Sequence, residues 1–330
     1  MSTTTLLVIL VALALIFDFL NGFHDSANVV ATMIASRAMH PRGALLMAAV
    51  GEFTGPFIFG VAVATTIGNE IAPADTLTIQ VVIAALVSAS LWNLITWWLG
   101  IPSSSSHALI GGLVGAIIVG SGVQVIQLEG LAKVLLALFL SPPIGFFVGA
   151  ILMRILLFLV RNSSPRANTI FQYGQIPTAL SLALSHGAND SQKTMGIITM
   201  GLVVLGFQQQ FEVPVWVVLA SASAMALGTA VGGWRIIHTL GGKFYRIRPI
   251  HSMASQLSSA GVILGASLLG GPVSTTQVVS SSIVGVGAAQ RVSQVRWGVT
   301  REILMAWLLT IPISAILAAG LYLVIIQIFQ

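Results

Sequence analysis

Two short polar stretches in this chain, "NGFHDSANVV" (residues 21–30) and "HGANDSQKTM" (186–195), are copies of one another. They stand 165 positions apart, so that Gly22, Asp25 and Ser26 match Gly187, Asp190 and Ser191. Two further pairs follow in the same order, now 170 positions apart. "PSSSSHALIGGLVG" (102–115) lies over "PVSTTQVVSSSIVG" (272–285), and "LALFLSPPIGFFVGA" (136–150) over "AWLLTIPISAILAAG" (306–320). Apolar segments resemble one another by chance because they draw on few letters. Polar motifs recurring in one order at nearly one offset do not, so the chain divides into two related halves. The division predicts a first repeat over 1–160, a connector over 161–167 and a second repeat over 168–330.

What joins these motifs is apolar. Hydrophobic residues make up 56% of the chain and charged ones only 7%, against roughly a quarter charged in soluble domains. Long apolar runs occupy 6–20, 43–64, 81–98, 132–160, 213–231, 253–269 and 303–328, and a crossing needs about 20 such residues. The fold class expected is an all-α polytopic membrane protein. The absence of cysteine excludes a disulfide framework and thiol chemistry. The N-terminus lacks the positive region of a signal peptide, so the first apolar run is expected to be retained.

The few charges set orientation, since cytoplasmic loops are enriched in Lys and Arg. Arg37 and Arg42, Arg161 and Arg166, the group Arg235, Lys243, Arg246 and Arg248, and the group Arg291, Arg296 and Arg301 mark loops expected inside. The loops over 68–75, 123–130 and 207–214 hold no Lys or Arg and are expected outside. Loop 37–42 corresponds to loop 207–214, and the loop over 68–75 to the basic loop after Trp234. Equivalent loops therefore lie on opposite sides, which defines two inverted-topology repeats. The pattern gives about five crossings per half, with discontinuous helices, re-entrant segments and both termini outside. The net charge of +5 follows from these loops, and nucleic-acid binding has no support.

Inverted repeats are the signature of secondary transporters, whose sites lie near the bilayer midplane. A charge at the centre of a membrane helix costs about 2.5–3.5 kcal/mol on insertion scales, yet Asp18, Asp25, Glu52 and Asp190 fall within apolar segments. Gly22 and Gly187 each precede an Asp by three residues, which predicts a helix, an unwound 21–25 or 186–190, and a second helix from Ser26 or Ser191. Unwound carbonyls and carboxylates offer hard oxygen ligands to a coupling cation. Asp25 and Asp190, helped by Asn21, Asn28 and Asn189, are the candidates, with Na+ the metal they would hold. The alternative is that each Asp merely caps a buried helix. Glu52 has no matched acid and is a candidate for an ion or proton role. Asp18, matched by Ala183, fits a structural hydrogen bond at least as well.

The second motif pair suits an anion. Each copy puts Pro before a run of hydroxyls at the start of a helix, where free N–H groups and the positive dipole end favour an oxyanion such as phosphate or sulfate. Ser104, Ser105, Ser106, Ser274, Thr275 and Thr276, with Gln277 beside them, could donate neutral hydrogen bonds that hold an anion and still release it. Ordinary membrane-helix interfaces also use Ser and Thr. Lys193 could pair with a carboxylate or attract the anion. His24, His107 and His186 could relay protons or serve as neutral hydrogen-bonding groups, and no ligand-spaced His pair marks a metal site. An enzyme is not expected, because no Gly-x-Ser-x-Gly, His-Glu-x-x-His or Asp-rich diphosphate motif is present. An anion channel would show a polar lining without cation coupling.

"NGFHDSANVVAT", "SHGANDSQKTMG", "GGWRIIHTLGGK" (232–243) and "GGPVSTTQVV" together resemble the inorganic phosphate transporter (PiT) family, across nearly the whole chain. The resemblance implies symport of inorganic phosphate with Na+ or H+, no cofactor beyond that coupling ion, and a homodimer in the bilayer of a bacterial cytoplasmic membrane. It implies cation and substrate handling by Asp25 and Asp190, a family glutamate at Glu52, and anion binding by the Ser/Thr segments. Gln277 stands where many relatives have His, and some short bacterial members carry sulfate. A sulfate symporter of the same fold is the alternative.

Overall fold

The structure, a computed structural model, describes residues 2–73, 76–164 and 166–328. Ala74 and Asp75 of the 68–75 loop and Pro165 of the connector lie outside the described residues. Every regular element among the described residues is helical. The first half comprises α1 (Thr3–Ala35), α2 (Pro41–Phe59), the single turn α3 (Ala62–Thr65), α4 (Ile79–Leu99), α5 (Ser105–Gly120) and α6 (Leu128–Val160). The second comprises α7 (Ala167–Val204), α8 (Val215–Val231), α9 (Trp234–Gly242), α10 (Pro249–Leu268), α11 (Thr275–Gln290) and α12 (Trp297–Ile328). By length and composition, α1, α4, α6 and α12 can each cross a bilayer, and the pairs α2–α3 and α8–α9 count as two more if each bent pair is one span. The protein is a multi-pass membrane protein.

The halves pack by exchange of equivalent partners. α1 lies on α8 and α2 on α7, α5 on α12 and α11 on α6, α4 on α12 and α10 on α6. α1 and α7 run antiparallel, since Leu10 meets Gly201, Asn28 meets His186 and Ser36 meets Gln175. Antiparallel equivalent helices are what an inverted repeat requires.

The breaks fall elsewhere than the glycine–aspartate motifs suggest. α1 runs unbroken through residues 21–25 for 33 residues, and α7 through 186–190 for 38. Gly22 and Gly187 serve close packing instead. A Cβ on Gly22 would stand 2.1 Å from the Met225 carbonyl oxygen of α8, and one on Gly187 2.1 Å from the Glu52 carbonyl oxygen of α2. The discontinuities sit in the next helix of each half, where α2 and α3 meet at 77° and α8 and α9 at 69°. There Gly60 (φ 80°) and Gly232 (φ 78°) adopt the left-handed backbone that glycine tolerates.

α5 and α11 are short, with 16 residues each, about 24 Å of helix against a hydrocarbon core of about 30 Å. Each starts inside the protein after its Pro-Ser or Pro-Val-Ser segment. Ser104 caps α5 by accepting from the His107 N–H at 3.1 Å, and Ser274 caps α11 by accepting from the Gln277 N–H at 3.4 Å. Two apolar clusters flank the middle of the molecule, one around Leu10, Ile67, Leu113 and Met195, the other around Met33, Leu182, Ile236 and Val279. The buried polar residues collect between them.

Candidate functional site

The helix starts of α5 and α11 converge on the carboxylates of α1 and α7. Asp25 Oδ1 accepts from the Thr276 hydroxyl at 3.0 Å and lies 2.8 Å from His24 Nδ1, while Oδ2 accepts from Ser105 at 3.4 Å. Asp190 Oδ2 accepts from the Thr275 hydroxyl at 2.8 Å, and its Oδ1 from Lys193 Nζ at 2.5 Å. Lys193 also donates to Ser106 at 2.5 Å and to the Val273 carbonyl at 3.0 Å. The pairing follows the repeat. Asn28, the counterpart of Lys193, donates to Thr276, the counterpart of Ser106, at 3.0 Å. The two helix starts meet through Gln277 Nε2 and His107 Nδ1, 2.9 Å apart.

The two carboxylates differ in compensation. Asp190 faces the ammonium of Lys193 directly. Asp25 faces hydroxyls and a histidine ring, so the Asp25 side carries the less neutralised charge. Both are sealed from solvent, with Asp25 1% and Asp190 0% exposed. Burial of this kind makes each unpaired charge expensive and each missing partner informative.

Partners are missing on the oxygen side. Asn21 Oδ1, Asn28 Oδ1, Asn189 Oδ1 and Glu52 Oε1 are buried and accept no hydrogen bond. Asn189 uses its Nδ2 on Ser267 at 2.8 Å and on the Gly271 carbonyl at 3.1 Å, which leaves the oxygen free. Glu52 Oε2 accepts from the Thr229 hydroxyl. Its Oε1 lies 3.0 Å from His186 Nδ1 without hydrogen-bond alignment. Buried oxygens with no donor are the ligands a hard cation takes. Asp25, Asp190 and His186 cluster, each offering a ligand atom within 4.8 Å of the others. Asp18 is fully buried beside this group, and both of its carboxylate oxygens lack a hydrogen-bond partner.

All the candidates named from the sequence therefore lie in or beside one buried region, although they come from five separate segments. Ser104 and Ser274 stand at its edge as helix caps, and Ser105, Ser106, Thr275, Thr276, Gln277 and Lys193 within it. Several participants carried no comparable signal. Thr229 sits in an apolar run and reaches Glu52 only through the α2–α8 contact. Thr96, 3.2 Å from His24 Nε2, is one more hydroxyl on a membrane helix. His186 did have a signal, because it precedes Asp190 by four residues and so shares its helix face. Its place between Glu52 and Asp190, 3.6 Å from Asp190 Oδ2, is supplied by the fold.

Comparison with known proteins shows the family of the chain. A model of the phosphate transporter family matches residues 21–318. A protein of Bacillus subtilis (strain 168) described as a probable low-affinity inorganic phosphate transporter is 46% identical over 98% of this chain and 98% of its own. One of Rhizobium meliloti (strain 1021) with the same description is 45% identical over 96% of each chain. Among solved structures, that of a sodium-dependent phosphate transporter superimposes with a TM-score of 0.90 at 25% identity, covering 99% of this chain and 100% of the other.

Proposed function

This chain belongs to the phosphate transporter family, and from that premise we propose that it imports inorganic phosphate by symport with Na+ through alternating access. The observation that carries the mechanism is the convergence of two helix N-termini, α5 and α11, on Asp25 and Asp190. The helix ends and their hydroxyls favour an oxyanion, while the carboxylates repel one. A cation bound first removes that repulsion, and coupling follows from electrostatics alone.

In this reading the cation enters beside the Asp25 carboxylate, among Asn21, Asn28, Asn189 and Glu52, whose donor-free buried oxygens support it. Asp190 holds Lys193 in place and shares the field of the cation. The anion then docks against Ser105, Ser106, Thr275 and Thr276, flanked by Gln277 and by the caps Ser104 and Ser274. Both repeats, 1–160 and 168–330, contribute to each subsite, and one helical bundle rocks against the other to release the ions. The basic loops face the bacterial cytoplasm and both termini lie outside. Sodium is favoured over protons because the structural relative is a sodium-dependent phosphate transporter.

The test is uptake of labelled phosphate into proteoliposomes under an imposed Na+ gradient or pH gradient, with excess sulfate as competitor. Uptake should follow the Na+ gradient and ignore sulfate. Asp25→Asn and Asp190→Asn should abolish it while membrane insertion persists. Uptake driven by the pH gradient alone assigns the coupling ion to H+, entry of labelled sulfate in place of phosphate overturns the substrate, and normal uptake in both variants removes the site.

A further inference from the structure

On the face that carries the basic loops, three separate segments meet around a cavity of 620 Å³. Arg37 comes from the α1–α2 turn, Arg246 and Arg248 from the α9–α10 loop, and Arg296 from the α11–α12 loop. None of these arginines is in an ion pair among the described residues. Charges that only signal orientation have no reason to converge, because repulsion between like guanidinium groups favours spreading them apart.

Arg37 adds a backbone argument. Among the described residues it is the one non-glycine residue with positive φ, at 59°. The Ala38 N–H bonds to the Met33 carbonyl and the Arg37 N–H to the Ile34 carbonyl. That is the helix ending at which glycine is the unstrained choice. An arginine stands there instead, and its side chain lines the cavity.

A polar seam leads from the cavity to the transport site. Asn28, Thr32 and Ser36 follow one another at four-residue spacing on one face of α1. Ser36 lines the cavity and donates to Gln175 of α7 at 2.6 Å. Thr32 accepts from Gln256 of α10 at 3.3 Å, and Gln256 accepts from Thr178 of α7 at 2.7 Å. Asn28 reaches Thr276, which touches Asp25. Thr32, Gln175 and Gln256 are all buried. In the opposite direction the same helices bury Leu10, Ala14, Met195 and Ile198. Toward that end they also bury Asp18, Thr194 and Thr199, whose side-chain oxygens have no hydrogen-bond partner, whereas the side chains of the seam are hydrogen-bonded and the seam ends at the arginines.

We propose that this cavity is a second anion site, which takes inorganic phosphate at the basic-loop end of the pathway as the transported ion is released. The proposal rests on the transport reading above. Guanidinium groups supply paired donors matched to phosphate oxygens, and the open cavity lets the ion leave.

The test separates this site from the buried one. Full-length protein carrying Asp25→Asn and Asp190→Asn, purified in non-ionic detergent, is titrated with labelled inorganic phosphate by equilibrium dialysis. Binding should persist in this background. It should weaken about tenfold or more on adding Arg37→Gly, and further with Arg246→Gln, the loss expected for charge-assisted hydrogen bonds. Arg37→Gly keeps the backbone in its preferred conformation, so an unchanged melting temperature shows that lost binding reflects the lost guanidinium. No binding in the aspartate background, or binding indifferent to both arginine changes, overturns the proposal. So does native mass spectrometry that finds phosphatidylglycerol held in an arginine-dependent way while inorganic phosphate is not, which would make the cavity a lipid-headgroup site. Uptake by the aspartate variants judges the buried site independently of all these outcomes.

Discussion

Replacing Gly22 by alanine discriminates between a glycine that breaks α1 and one that lets α8 approach. A Cβ at this position would meet the Met225 carbonyl oxygen at 2.1 Å and its carbonyl carbon at 2.9 Å. Both are backbone atoms, so no side chain can swing aside. α1 and α8 would have to separate by roughly 1 Å, and forced overpacking of this kind costs about 1–3 kcal/mol. Separation would also displace Thr229 of α8, whose hydroxyl lies 3.1 Å from the Gly22 carbonyl oxygen and donates to Glu52, and weakening that bond loses about 1 kcal/mol. Against this stands the gain of replacing helical glycine by alanine, about 1 kcal/mol. The net expectation is a destabilisation of about 2 kcal/mol. Gly261, inside α10 with nothing within 4 Å of its hypothetical Cβ, is the control, where Gly261→Ala should show the propensity gain alone. For a chain of 330 residues about 2 °C accompanies each kcal/mol. Thermal unfolding in detergent, followed by tryptophan fluorescence, should show Gly22→Ala falling by about 4 °C and Gly261→Ala rising by about 2 °C. A rise or no change in Gly22→Ala would refute the packing argument.

Lys193→Met should cost about 3–5 kcal/mol, because it strands Asp190 Oδ1 in a sealed site, and Lys193→Met/Asp190→Asn should recover part of that loss in the same melting assay. Thr229→Val removes the hydroxyl that Glu52 accepts and should lower stability by about 1–3 kcal/mol, whereas Thr229→Ser should restore it. Lys133→Ala breaks a surface pair with Glu70 at 2.8 Å in which the two side chains are 45% and 35% exposed. Melting should change by less than about 1 kcal/mol, and less again in high salt.

Polarity out of place was the legible part of this chain. Asp25, Asp190 and the hydroxyl runs stand out because a membrane-spanning segment has no cheap use for them, and duplication fixed which residues correspond. The positions of Pro142 in α6 and Pro312 in α12, both inside their helices, follow the same register. The location of the helix breaks was not legible from the motifs that suggested it. Gly22 and Gly60 look alike in sequence, yet one accommodates a neighbouring carbonyl and the other a left-handed backbone. The distinction depends on what packs alongside, which no local spacing encodes. The contacts of Thr229 and Thr96 were hidden for the same reason.

The hydrogen bond between Gln277 and His107 joins corresponding positions of the two halves. A residue on the axis between two identical chains can meet only its own copy, His against His or Gln against Gln. Fusing the copies into one polypeptide lifts that restriction and permits an unlike pair. Here the amide Nε2 can only donate, so the imidazole Nδ1 accepts and its proton resides on Nε2. A contact that would be ambiguous in a symmetric ancestor thus acquires a fixed direction.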